Sequence, residues 1–365
     1  MNKEKEKYLT PTQFVLLIPG ILVGVLIFRL PGLVVKSAHQ DAWISMIISL
    51  IYPAYVLLIS NYVIKKYPDE TILMISRRYL GKIFGNMLNF MFMLSFMLLT
   101  IFITGNLVYI LYVYNLSFLQ PSKIAIVIII VASYAAYFDL GVLGKINEVM
   151  FIPTILTIFV TAAAISKGSI LNFMPVFENS FTDILRGSKE ALFSFLHIEV
   201  VLLIHPYFKE KKSIKKLSII GAAISSIIYI WVVMISIFVL GNEVTIKAIW
   251  PYVFVGEVID MPIVNNFKSL FIIFWNLIQF KVITNEYFFS TFIFNDITGF
   301  NRKKVVLYLL PIYTVLTIVF LNQGLRKVTS EHIIPLVVLF NLFYISIVGF
   351  LVAVKPKNIR KKDKV

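Results

Sequence analysis

The polar and apolar positions of this chain do not alternate at short range. They separate into long apolar blocks divided by short, mostly basic, polar stretches. A block of about 20 apolar residues crosses the hydrocarbon core of a bilayer as a helix. Ten candidate spans are found, approximately Thr12–Val35, Trp43–Ile64, Ile83–Val113, Ile124–Phe138, Val142–Ser166, Ala191–Phe208, Leu217–Leu240, Leu270–Ile293, Val305–Leu321 and Ile333–Val354. The fourth and sixth are short, and the third is long enough to tilt. The pattern predicts an all-α membrane protein with one transmembrane domain over residues 1–365, ending in a basic tail at 355–365.

Lys and Arg set the orientation. With the N-terminus inside, the inside segments hold Lys3, Lys5 and Lys7, then Lys65, Lys66, Arg77, Arg78 and Lys82, then Lys145. They go on to hold Lys209, Lys211, Lys212, Lys215 and Lys216, then Arg302, Lys303 and Lys304, then the tail "KPKNIRKKDKV". The outside segments carry far fewer. Both termini are therefore expected in the cytoplasm. One inside loop, "PDETILMISRRYLGK", predicts a short interfacial helix with Asp69 as its N-cap and Gly81 as its C-cap. The outside segment Lys167–Glu190 holds Pro175 and is expected to be a loop.

Ten spans divide into five and five, at 12–166 and 191–354. The first is interrupted by "PGILVG" (Pro19, Gly20, Gly24), and the sixth carries Glu199 and Pro206. Interruptions at matching places in two halves point to an inverted repeat with its site at the midplane.

Composition agrees with this picture. The hydrophobic fraction is 59% and the mean hydropathy +0.87, against roughly 45–50% apolar residues in soluble domains. The net charge of +15 reads as cytoplasmic loops, not as a nucleic-acid surface. There is no cysteine, which excludes disulfides and thiolate metal or redox sites. No cleaved leader is read in "MNKEKEKYLTPTQF".

An ionisable side chain at mid-span is expensive and marks a candidate site. Glu199 is the first. It is suited to a ligand ammonium or a proton, or to bonding backbone donors that hold a helix break in shape. His197 lies two residues before it, so the two converge only if the helix breaks. His205 lies near the face of His197. A metal site is disfavoured, because no second histidine stands at a short ligand spacing. Lys281 lies mid-way along the eighth span, on one face with Asn285, while Gln279 and Glu286 share another. It can replace a cation, pair with a carboxylate such as Glu199, or snorkel. In the third span Thr100, Thr104, Gly105, Asn106 and Tyr109 line a pathway or pack closely; Arg29 lies outward in the first. "GVLGK" (Gly141–Lys145) lacks phosphate-loop spacing. No cluster of catalytic residues at one depth and no cofactor motif is found, so an enzyme is not expected.

Several stretches resemble the B subunits of endospore germinant receptors, a branch of the amino acid–polyamine–organocation transporter superfamily. They are "LTPTQFVLLIPGILVGVLIFRLP", "AHQDAWISMIIS", "GKINEVMFIPTIL" and "NFMPVFENSFTDILRGSKEALFSF…EVVLLIHPYF". The resemblance covers nearly the whole chain. It implies a LeuT-like five-plus-five fold with broken first and sixth helices, a place in the spore inner membrane, and assembly with an A subunit and a lipoprotein C subunit. It also implies a small germinant, often an amino acid, bound near the two breaks. Where that family has a glycine two residues before the glutamate, this chain has His197, which changes pocket volume and polarity. The expected ligand-binding residues are Gly20, Gly24, Thr104, Asn106, Phe195, His197, Glu199, Lys281 and Asn285. An ion-coupled amino-acid permease is the alternative reading.

The orientation has a direct test, since the cysteine-free chain gives no background. A cysteine placed in either tail is expected to be protected from an impermeant thiol reagent added to intact cells. Labelling of either tail overturns the orientation.

Overall fold

The computed structural model describes residues 8–24, 26–259 and 267–354. The lysines of the N-terminal tail (Lys3, Lys5, Lys7) and the basic tail 355–365 lie outside these residues.

The first helix starts where Pro11 fixes a helical φ and Thr10 caps it. The Thr10 hydroxyl accepts from Gln13 N–H (3.2 Å), and the Gln13 side chain accepts from Thr10 N–H (3.1 Å), a reciprocal capping box. Helix α1 (Pro11–Leu22) then stops at Val23 and Gly24, and α2 (Leu26–Ala38) follows. Next come α3 (Ala42–Ser49), α4 (Ile51–Lys66) and the long α5 (Ile72–Tyr114). Gly81, at φ 78°, kinks α5 and separates a short helix from the span. Gly81 thus sits at the predicted helix end. Asp69 does not cap that helix: Thr71 occupies the N-cap, and Asp69 pairs instead with Lys211 at 3.3 Å.

Helices α6 (Pro121–Ala136) and α7 (Leu140–Ala162) follow. The expected loop Lys167–Glu190 is not all loop: α8 (Phe181–Leu192) forms there, capped by Ser180. It packs on α2 and α3, burying Ile184, Gly187, Ser188 and Ala191. The sixth element therefore begins about ten residues before the apolar run does. A helix with polar side chains on its outer face escapes a search for apolar blocks. It is broken at Leu196 and His197 and resumes through a 3₁₀ turn into α9 (Val201–Ile204). Then come α10 (Ile214–Lys247), α11 (Pro251–Glu257), α12 (Phe267–Thr298), α13 (Arg302–Val319), α14 (Gln323–Val328) and α15 (Ile334–Val354). No strand occurs among the described residues.

Five stretches among the described residues are long and apolar enough to cross a membrane, including Ile72–Tyr114, Leu140–Lys167, Lys211–Lys247 and Gln323–Val354. α1 and α6 are apolar but shorter. The two broken elements lie at the centre. α1 packs on α10, α7 and α12, and α2 on α10, α8 and α11.

The segments expected inside gather at one end of the bundle. Leu9 N–H donates to the Tyr207 carbonyl at 2.9 Å, and His205 Nε2 faces the Tyr67 carbonyl at 3.2 Å. Arg77 makes a forked pair with Asp296 at 2.5 and 3.1 Å. Arg302 donates to the carbonyls of Ala136, Tyr137 and Phe138 at 2.6, 3.1 and 2.7 Å. These are the carbonyls that the end of α6 leaves without helical partners. At the opposite end, Asp41 accepts from the N–H groups of Phe177 and Asn179 at 2.8 and 3.1 Å. Gln40 donates there to the Pro175 carbonyl at 3.0 Å.

Arg302→Gln shortens the reach to all three carbonyls and removes the charge. It is expected to cost about 2–3 kcal/mol, read as a lower midpoint of thermal unfolding in detergent. An unchanged midpoint means that solvent, not Arg302, satisfies the end of α6.

Candidate functional site

Two helix breaks meet at mid-bundle. Near the first, Pro19 sits inside α1 and removes one N–H from its ladder, the helix runs on to Leu22, and Gly20 and Gly24 let neighbours come close. A Cβ on Gly20 would lie 1.8 Å from Asn147 Oδ1, and one on Gly24 would lie 3.3 Å from the Val282 side chain. Val23 turns out to ψ 92°. The freed carbonyl of Leu22 takes the Tyr229 hydroxyl at 2.5 Å. In the second break, His197 adopts a left-handed conformation, φ 74° and ψ 17°. A non-glycine residue there is uncommon.

That turn sends His197 and Glu199 to different neighbours. Glu199 is wholly buried and accepts from the Tyr52 hydroxyl on α4 at 2.5 Å. Its second oxygen has no hydrogen-bond partner among the described residues. His197, also wholly buried, reaches α5 and α12. Its Nε2 lies 3.0 Å from Ser95 Oγ, and its Nδ1 lies 3.0 and 2.8 Å from the two Glu286 oxygens. The ring lies flat on Phe96, centroids 3.8 Å apart and planes 10° apart.

Helix α12 supplies the rest. Asn285 and Asn147 exchange two side-chain hydrogen bonds, both 2.9 Å, under Gly20. Lys281 is 1% exposed, and its Nζ has no partner among the described residues. Both polar atoms of the Gln279 amide are likewise unpartnered, as are Asn276 Oδ1 and Thr284 Oγ1. Lys281 does not pair with Glu199. Snorkelling is not what the structure shows, because the ammonium stays buried. On the side toward α2 and α11, Phe28 stacks on Trp275 at 4.0 Å, with Phe271 and Tyr252 beside them.

The nine expected residues are thus partly assembled. Gly20, Gly24, His197, Glu199, Lys281 and Asn285 stand at or between the breaks. Phe195 is buried edge-on against Tyr229, 5.4 Å away. Thr104 and Asn106 lie further along α5. The Thr104 hydroxyl donates to the Thr100 carbonyl at 2.7 Å, and the Asn106 amide to the Phe102 carbonyl at 2.9 Å. Both are engaged by their own helix. Gly105 faces the Phe320 carbonyl and the Arg326 stem, which is close packing. His205 sits at the basic end between the carbonyls of Val201 and Tyr67, away from His197.

Tyr52, Ser95, Phe96, Asn147 and Tyr229 were not expected from sequence. Glu286 was noticed but not placed in the site, although the rule that singles out Glu199 applies equally to it.

The Gly20 contact carries a prediction. Gly20→Ala is expected to push Asn147 off Asn285 and cost about 2–4 kcal/mol. In an Asn147→Ala background most of that penalty is expected to vanish, because the clashing atom is gone. Equal penalties in both backgrounds would place the clash elsewhere.

A family model described as "Spore germination protein" matches residues 8–324. Spore germination protein GerQB of Bacillus cereus is 25% identical over 74% of this chain and 75% of its own length. Spore germination protein YndE of Bacillus subtilis (strain 168) is 22% identical over 87% of this chain and 88% of its own. Spore germination protein KB of the same organism is 23% identical over 94% and 96%. Among solved structures, MhsT in complex with L-phenylalanine superposes with a TM-score of 0.66. It has 13% identity and covers 95% of this chain and 88% of that one.

Proposed function

The chain belongs to the spore germination protein family, and we propose that it is the germinant-sensing B subunit of a spore nutrient receptor. In this reading it binds a small nutrient, an amino acid, between the breaks of its first and sixth elements. It passes the resulting shift to a membrane A subunit and a lipoprotein C subunit. The fold is LeuT-like, with both broken helices at its centre. The spore inner membrane is its place, with both termini in the cytoplasm; the gathering of the basic loops at one end supports that orientation.

One observation carries the reading. Glu199 Oε2, Lys281 Nζ and the whole Gln279 amide are buried without protein partners among the described residues. Buried polar groups left so are costly, and a native fold retains them where something else satisfies them. An amino acid offers matching groups: an ammonium for Glu199, a carboxylate for Lys281. The aromatic group of Phe28, Trp275 and Phe271 offers an apolar surface for a side chain. Ligand binding favours one arrangement of the breaks by its differential affinity, and that difference is the signal.

The buried Lys281 also favours a second reading, an ion-coupled amino-acid permease. In that reading Glu199 or Lys281 is the coupling group, taking up and releasing a proton in step with the substrate. Uptake of labelled amino acid into vesicles of the purified protein separates the two: accumulation supports the permease, binding without accumulation the receptor.

Two substitutions test the site. Glu199→Gln keeps the shape and removes the charge. It is expected to shift the germinant dose–response at least tenfold, about 1.4 kcal/mol, with normal amounts of protein in the spore membrane. An unshifted curve removes Glu199 from the ligand. Lys281→Met is expected to abolish the response or alter its dependence on pH; wild-type behaviour at every pH would make Lys281 a packing residue only.

A further inference from the structure

The donors and acceptors around His197 can be assigned one by one. Ser95 Oγ lies 2.6 Å from the Phe92 carbonyl, which can only accept. The single hydroxyl hydrogen therefore goes to Phe92. Ser95 then has only lone pairs to offer His197 Nε2 at 3.0 Å, so Nε2 carries a hydrogen. On the other side of the ring, Nδ1 faces both oxygens of Glu286, at 3.0 and 2.8 Å. A neutral imidazole with its hydrogen on Nε2 would turn a lone pair toward a carboxylate there. A hydrogen between Nδ1 and Glu286 removes that repulsion: Oε1 is the hydrogen-bond partner, while Oε2 lies close without hydrogen-bond geometry and has no partner of its own among the described residues.

We infer that His197 and Glu286 form a proton-binding site, with His197 held as imidazolium against the Glu286 carboxylate. Two further observations agree. The ring lies flat on Phe96 at 3.8 Å, and a cation over an aromatic face is favoured, more so away from water. Both partners are buried, His197 wholly and Glu286 to within 1%. A carboxylate at that depth is tolerable when a cation bonds it.

Among the described residues no other cation faces Glu286. From α4, Tyr52 donates to Glu199, so it is engaged elsewhere. Glu199, two residues on from His197, bonds Tyr52 and adds negative charge near the imidazolium. From α13, Tyr313 bonds Ser290. Lys281, on α12 itself, makes no ion pair with Glu286 among the described residues. From α5 come Ser95 and Phe96, which do not titrate. Proton binding is simple in its balance: H⁺ from water adds to the Nδ1 lone pair, and release returns it to water. No bond between heavy atoms changes.

The pair ties the break of the sixth element to α5 and α12. Losing the proton replaces an attraction across that junction with a lone pair facing a carboxylate. If the chain senses a nutrient as proposed above, this proton is the ion held alongside it; the assignment of the proton itself does not depend on that reading.

Nitrogen-15 solid-state NMR of histidine-labelled full-length protein in bilayers tests the assignment without any ligand. The chain has four histidines, and the signals missing from His197→Gln identify those of His197. Both ring nitrogens of His197 are expected at neutral pH in the protonated range, each with a directly bonded hydrogen. In Glu286→Gln one of them is expected to become a bare, pyridine-type nitrogen. A pyridine-type nitrogen on His197 in the wild type overturns the inference. Since the wild-type spectrum alone decides, poor folding of a variant leaves the test intact. A germination assay across pH then separates the two claims: a protonated pair with a pH-independent response keeps the site and sinks only its link to the nutrient.

Discussion

A polar group surrounded by hydrocarbon must find its partner inside the protein, and the interior of this bundle is organised by that requirement. A continuous helix meets it automatically. This chain interrupts two helices at mid-bundle and bends others at Gly81 and Gly241, so it must supply partners by side chain. Tyr229 serves the Leu22 carbonyl, Arg302 serves the end of α6, and Arg326 serves the carbonyls of Phe320 and Leu321. Each donor comes from a distant part of the chain or from the next element. The repairs are therefore also tertiary contacts.

Small residues make those repairs reachable. Gly20, Gly144 and Gly221 lie where α1 meets α7 and α10, and a Cβ at any of them would meet a neighbour at 3.0 Å or less. Without a hydrophobic force to press helices together in lipid, such close approach and the hydrogen bonds it permits hold the seams. What remains unpartnered after this among the described residues, chiefly Glu199 Oε2, Gln279 and Lys281, are the groups on which the proposed ligand site rests.

The all-α membrane fold and the broken first and sixth elements were legible because hydropathy and Pro/Gly placement report directly on the bilayer. α8 was not, because its outer face is polar and the sixth apolar block begins only at Ala191. The site was half legible. Glu199, His197 and Lys281 announce themselves by their cost in an apolar run. Their partners do not. Tyr52, Ser95, Asn147 and Tyr229 are ordinary residues of membrane helices, and only the fold brings them to the breaks. Spacing alone also put His197 and Glu199 on different sides of a regular helix, which the left-handed turn at His197 turns into two separate contacts, one toward α12 and one toward α4.

The Asn147–Asn285 exchange stands on a different face of α12 from Glu286 and contains no titratable group. Two amides that trade equal bonds carry no net charge. Their strength is indifferent to acidity, to salt and to the voltage across the membrane. The seam joining α1, α7 and α12 therefore keeps its register under every condition that could disturb the charged groups beside it, so the latter can respond while the former acts as a fixed reference.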